Sequence, residues 1–303
     1  MAAPRPVRGL RASTRLVDAA PAFLAARLAD VQRHCTAAAE RLTPERVHDV
    51  RVALRRLRGA ARLFGKGKAL RRADAEFASF QAALGPLRDL QVQLAGLSRL
   101  RRKLPAEEAA VVAQVRNALG ATRPSSVDAA RAALQRWAKR GTRALSGLEG
   151  LRPRGRLGGH RLRKRLVHQL EALEEWVGAA LADPGPAPMH QLRVAVKRFR
   201  YALEFIEPAM PSETGEIRTE LVPLQTTLGE LHDLDIQIGL VDQHASRAFL
   251  PAAADLLRRL QAERERSAAA LLAVLIHWEE EASALRAQVL LGSSPVHIHR
   301  RAR

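Results

Sequence analysis

The sequence predicts an all-α protein made of two pseudo-symmetric helical bundles that arise by internal duplication. Three observations carry this: helix formers dominate, turn signals lie far apart, and one order of segments occurs twice. Ala, Leu, Arg, Glu and Gln fill most windows, Tyr occurs once, and few stretches alternate with the period of a strand. Turn signals fall at Thr43-Pro44, Gly65-Lys66-Gly67, Gly120 to Ser126, Gly150 to Gly159, Asp183 to Pro188 and Pro208 to Gly215. The intervals between them suit long bundle helices.

The repeat is the strongest of the three. Val47-His-Asp-Val-Arg-Val-Ala-Leu-Arg-Arg-Leu-Arg58 matches Met189-His-Gln-Leu-Arg-Val-Ala-Val-Lys-Arg-Phe-Arg200, with His48 and His190 offset by 142 residues. Downstream, Leu84-Gly-Pro-Leu-Arg-Asp-Leu-Gln-Val-Gln93 matches Leu228-Gly-Glu-Leu-His-Asp-Leu-Asp-Ile-Gln237, offset by 144. Upstream, Leu24, Leu28, Val31 and Cys35 share their helical spacing with Leu166, Leu170, Leu173 and Val177. Three segments in one order at a nearly constant offset indicate duplication. Residues 1–14 then read as a disordered basic leader, 15–148 as the first bundle, 149–159 as the linker, 160–290 as the second bundle and 291–303 as a basic tail.

The second helix of each repeat carries the charge. Thr43, Pro44 and Glu45 form a helix start, with a capping hydroxyl, Pro in the first turn and then an acid. The helix should run to Phe64 and stop at Gly65. At about 100° per residue, Arg51, Arg55, Arg58 and Arg62 fall within about 80° of His48. Val50, Leu54, Leu57, Ala61 and Phe64 take the opposite face, and Arg56 lies off the row. In the second repeat His190, Arg193, Lys197 and Arg200 form the row, and Leu192, Val196, Phe199, Leu203 and Ile206 the core stripe. Glu204 stands where Arg62 would repeat. A solvated face ordinarily mixes signs, because like charges four apart destabilise a helix. Two single-sign rows at matching positions therefore point to an anionic ligand. Arg suits it, because its planar donors meet phosphate oxygens two at a time. A third cluster, Arg161, Lys164, Arg165 and His168, shares one face before the second His helix and has no counterpart in the first repeat. Pro86 and Pro223 are expected at kinks or helix joints.

Composition agrees with a polyanion partner. Lys and Arg total 50 against 31 Asp and Glu, a net charge of +19, and such a surplus resists compaction until something neutralises it. At 47% hydrophobic residues the chain is globular rather than a basic disordered tail. Arg and Ala enrichment from a GC-rich genome would raise the charge without arranging it in rows. Cys35 is the single cysteine; it excludes a disulfide framework and reads as a buried small apolar residue in a reducing cytoplasm. The Arg-rich start lacks the apolar stretch of a signal peptide, and no apolar run is long enough to span a membrane.

The pattern His-x-x-Arg-x-x-x-(Arg/Lys)-Arg-x-Arg, present twice and each time followed by Leu-Gly-x-x-(Arg/His)-Asp-Leu, resembles the CHAD family, the conserved histidine α-helical domain. The resemblance runs from about Arg15 to Gln288. It implies two facing helical bundles, a basic central groove, inorganic polyphosphate as the ligand, and association with polyphosphate granules in a bacterial cytoplasm. The residues it carries over are His48, Arg51, Arg55, Arg56 and Arg58, then His190, Arg193, Lys197, Arg198 and Arg200. To these the row and the third cluster add Arg62, Arg161, Lys164 and Arg165. His232 replaces Arg88 in the second half. Asp89 and Asp233 are expected to pair with basic side chains and orient them. Some family members are fused to a triphosphatase barrel, and no strand-rich segment here corresponds to one.

Other readings are weaker. His48 and His190 lack a carboxylate–His metal spacing, and His297 and His299 read as part of a tail. Gly65-Lys-Gly-Lys68 lacks the spacing of a phosphate loop and follows a helix where a strand is needed. Nucleic acid is the main alternative ligand, since charge alone permits it. Aromatics are only 4%, however, and Phe64, Phe199 and Trp176 fall on apolar stripes, which leaves no stacking platform. No acid–base pair, activated nucleophile or cofactor motif stands out, so binding is expected rather than catalysis, with a polyphosphate- or triphosphate-metabolising enzyme as the further alternative. Groove histidines of ordinary pKa, about 6.5, would strengthen binding between roughly pH 8 and 6.

Overall fold

The structure, a computed structural model, describes residues 4–64, 67–140, 152–207, 209–245 and 250–291; the side chains of 140, 211–213, 216, 250 and 280–291 are not described. Among the described residues there are ten helices and no strand. The first half contains α1 (Leu16–Glu40), α2 (Pro44–Phe64), α3 (Lys68–Ala83), α4 (Gly85–Arg101), α5 (Ala106–Gly120) and α6 (Arg123–Arg140). The second contains α7 (His160–Ala182), α8 (Pro186–Ile206), α9 (Pro211–His244) and α10 (Leu250–Leu291). The helix pairs α1 and α2 correspond to α7 and α8. The pair α3 and α4 corresponds to the single helix α9, and α5 and α6 to α10.

Proline explains the different count. Pro86 lies in the first turn of α4, where a missing N–H costs nothing, and the chain breaks just before it. The second half has Glu230 at that position, and α9 runs through. Likewise α6 opens on Arg123-Pro124, and the second half has Ser267-Ala268 inside the unbroken α10. Of the kink or joint expected at Pro223, no joint is present, since this residue sits inside α9. Val222 and Pro223 face solvent there, so water can serve the carbonyl that proline leaves without a partner.

Both apolar stripes read from the sequence are core. Val50, Leu54, Leu57, Ala61 and Phe64 are buried, as are Leu192, Val196, Phe199, Leu203 and Ile206. So are the matched upstream positions, Cys35 included, and burial pushes the Cys35 thiol up to about 12, which leaves it inert. One continuous core joins residues of both halves, from Leu16 to Trp278. A second, smaller core joins Leu97, Val111 and Val115 of the first half to Leu234, Val241 and Leu256 of the second.

The leader is ordered where described, which corrects its expected disorder, and it packs with the described part of the linker. Val7 and Leu10 pack on the core, the Arg5 backbone N–H donates to Asp30 at 3.0 Å, and Arg27 donates to the Arg5 carbonyl. Leu157 is fully buried. Its N–H donates to the Thr14 carbonyl at 2.9 Å, and that of Gly158 to Ala12 at 2.8 Å. A side chain at 158 would place its Cβ 2.7 Å from that of Ala12, and Gly155 has φ +112°, a conformation that favours glycine. The two connectors clasp because each brings a few apolar residues that an Arg-rich composition conceals. The first part of the linker and the basic tail, with His297 and His299, lie outside the described residues, as do Gly65 and Lys66.

Candidate anion-binding site

The two charged helices meet across the pseudo-twofold axis. Helix α2 packs on α8, and α4 packs on α9; within each half α2 touches α4 and α8 touches α9. These four helices form a ring around a cleft of roughly 800 Å³. Gly59 allows the close approach of α2 to α8, since a Cβ there would sit 3.1 Å from the Phe205 ring.

The cleft receives matching residues from both halves: His48, Arg51, Arg55, Arg88 and Asp89 from one, and His190, Arg193, Lys197, His232 and Asp233 from the other. Arg55 and Lys197 face one another near the axis, where Arg55 donates from Nε to the Tyr201 hydroxyl at 3.4 Å. Arg51 donates from Nη1 to the Gln81 carbonyl at 2.9 Å, and Arg88 to the Pro44 carbonyl at 3.2 Å. These bonds fix the guanidinium groups before any ligand arrives. Asp89 acts electrostatically on Arg51 and Arg88, and Asp233 on Arg193 and Lys197. Arg193 Nε and Gln225 Oε1, both in the wall, are buried without a hydrogen-bond partner among the described residues.

Crowding of like charge shifts the titrating groups. Burial, helped by Arg193, Arg55 and Arg200, pushes the Lys197 ammonium down to about 7. Burial, with Arg88 and Arg55, lowers His48 to about 4. Burial, with Arg193 and His190, lowers His232 to about 4, and His190 is lowered by burial and then by Arg193 and Lys197. In the free protein Lys197 is therefore the group brought close to neutrality, while His48 and His232 are held well below it.

No helix of the described residues is long and apolar enough to cross a membrane, and no group of three His, Cys, Asp or Glu among them is placed to hold a metal ion. The chain matches the CHAD domain family over residues 22–242 and again over 164–303. The chain belongs to the CHAD family. The second match begins as far beyond the first as His190 lies beyond His48, in keeping with the duplication. Two solved structures share the fold. The CHAD domain from the plant Ricinus communis is 24% identical with a TM-score of 0.62, covering 97% of this chain and 99% of that one. PptA from Streptomyces chartreusis is 18% identical with a TM-score of 0.66, covering 89% and 99%. No curated protein matches the sequence.

Within this CHAD fold the remaining expected site residues lie outside the cleft. Arg58 and Arg62 both bind Asp74 of α3, at 2.7 and 2.9 Å. Arg56 is buried beside Glu204. Arg198 is exposed near Arg62 and Arg58, whose charges lower it after burial does. Arg200 lies over the Tyr201 ring at 5.3 Å. Arg165 donates to the Leu63 carbonyl at the end of α2, a helix-capping contact, with Arg161 and Lys164 exposed on the same helix. The helical period gave the correct face of α2 and could not show that α3 covers its last turns. Conversely, the structure brings Arg88, His232, Gln93, Gln225 and Glu230 into the wall. The second repeated motif was the available signal for Arg88, Gln93, Glu230 and His232; nothing local marked Gln225.

Proposed function

We propose that the chain binds inorganic polyphosphate in the cleft and does not turn it over. One observation supports this above the rest: cationic side chains from both halves converge on a single cleft whose described lining contains no Phe, Tyr or Trp. A bare phosphate chain needs donors and positive charge, and nothing to stack on it, whereas single-stranded nucleic acid gains much of its affinity from aromatic platforms. Arg51, Arg55 and Arg88 supply guanidinium donors already held by hydrogen bonds, Arg193 supplies another guanidinium, and Lys197 adds a point charge. The acids in the cleft act on basic neighbours, a role in orientation rather than proton transfer. Association with polyphosphate granules in the cytoplasm is part of the proposal.

The test is a calorimetric titration with long-chain polyphosphate, competed by duplex DNA and by orthophosphate. Tight, salt-sensitive binding of polyphosphate is expected, with poor competition from orthophosphate, because one small anion cannot engage both halves. Duplex DNA, a much wider polymer, should compete weakly. Equal or tighter binding of DNA would replace this reading with a general nucleic-acid one, and release of orthophosphate during the titration would replace it with an enzymatic one.

A further inference from the structure

The cleft is near-symmetric in its elements and unequal in its charge. Its first-half wall carries Arg51, Arg55 and Arg88 against Asp89 alone; its second-half wall carries Arg193 and Lys197 against Asp233 and Glu230. The difference is sharpest at the two outer positions. His48 stands with Arg88 on one side, each within electrostatic reach of the other. On the other side His190 stands with His232, ring centroids 5.2 Å apart, and Glu230 occupies the position that Pro86 holds in the first half.

The surroundings of the histidine pair are fully charged on two sides. Helix α8 brings Arg193 and Lys197, and α9 brings Glu230, Asp233 and Asp235. Asp235 is held by Arg264 of α10 at 2.6 Å. From α2, Arg55 acts on Arg193 and Lys197, and α4 lines the cleft with Arg88 and Asp89 and with the uncharged Gln93 and Gly96.

We infer that the two ends of the cleft hold phosphate by different rules: the Arg88 end at any pH, and the His190–His232 end only together with proton uptake. The inference rests on the polyphosphate reading and concerns how that ligand is graded along the site. Arg88 keeps its charge through the whole working range. The histidine pair is disfavoured as imidazolium in the free protein, by burial first and then by Arg193. A phosphate lying against both rings reverses that balance, because an opposite charge within reach favours the protonated form. Each ring that becomes charged takes its proton from solvent, so this end gains strength as pH falls.

The deciding experiment exchanges the two positions. His232→Arg gives the second end a permanent charge, and Arg88→His gives the first end the second's chemistry. Wild type and both variants are titrated with long-chain polyphosphate at pH 8 and pH 5.5, with a melting curve for each to establish folding. His232→Arg should bind about tenfold tighter than wild type at pH 8, the scale of one added hydrogen bond to a charged group, and lose most of that advantage at pH 5.5. Arg88→His should bind about tenfold weaker at pH 8 and recover toward wild type at pH 5.5. His232→Lys repeats the first change with another cation, should Arg not fit. Wild type that binds while neither His232 variant gains at pH 8 overturns this inference alone, as does an Arg88→His loss that is equal at both pH values. Wild type that fails to bind at either pH overturns the polyphosphate reading, and this inference with it.

Discussion

Arg56 and Glu204 meet at 2.7 Å across the axis that relates the two halves. The repeat makes Arg198 the counterpart of Arg56, and Arg62 the counterpart of Glu204. The symmetric contact is therefore one of like charge, and Arg198 does feel Arg62. Each half resolves the conflict in its own way: Arg62 turns to Asp74, and where the second half has Arg218 in place of that Asp, Arg218 pairs with Glu207 at 2.8 Å. Glu204, which reads as a gap in a phosphate-binding row, is thus a structural partner.

Removing Glu204 should destabilise the fold. Both side chains are largely buried, so Glu204→Ala leaves the Arg56 charge without its carboxylate, a loss of about 3 kcal/mol. Arg62→Ala removes a half-exposed partner and should cost about 1 kcal/mol or less. Denaturant unfolding of the two variants measures the difference, and equal losses would contradict the roles assigned here.

Cleft and outer arginines should separate in binding. Arg51→Ala, Arg55→Ala and Arg193→Ala should each weaken polyphosphate binding by about tenfold and lower the salt slope. The double changes Arg58→Ala with Arg62→Ala, and Arg161→Ala with Lys164→Ala, should cost much less. Titration at two salt concentrations checks both effects. A loss from the outer pairs as large as that from the cleft would extend the site along α2 and α7.

Near neutrality the pH dependence should belong to Lys197. Its free-state value is about 7, and a bound polyanion raises it. Affinity then rises as pH falls from the bound-state value toward 7 and levels off below. Histidine contributions follow separately, rising as pH falls toward the free-state value of about 4 for His48 and His232. Lys197→Arg should bind at pH 7 like wild type and lose the rise between pH 9 and 7. Persistence of that rise in the variant would assign it to another group.

The same lysine should cost stability. A base whose folded pKa lies below its unfolded value, about 10.4, destabilises the fold most below the folded pKa, and the cost fades as pH climbs through the interval. Lys197→Met should therefore raise the melting temperature at pH 6.5 by a few degrees while weakening polyphosphate binding, and the gain should shrink by pH 9.5. A melting temperature that falls at pH 6.5 would show that Lys197 supports the fold.

Helix identity, both core stripes and the inner members of each row were legible because periodicity reports which face a residue occupies. His48, Arg51, Arg55, His190, Arg193 and Lys197 all reach the cleft. Periodicity carries no information on what covers a face, so the departure of Arg58 and Arg62 toward Asp74, sixteen and twelve residues away, could not be read. The docking of Val7, Leu10 and Leu157 escaped for a related reason: isolated apolar residues in a polar stretch have no period. The lowered pKa of Lys197 comes first from burial, then from Arg193 on its own helix and Arg55 of α2, and neither the burial nor the approach of α2 has a local signature.

The clasp between leader and linker bears on how the chain is made. Leu157 must be in place beside Thr14, and the shared core draws on residues as far along as Trp278. A ribosome that has released only the first 148 residues has delivered a half whose share of the common core still lacks its partner, so the half-chains should fold poorly alone. Cutting the gene at the repeat boundary should then give two products that become soluble only when made together.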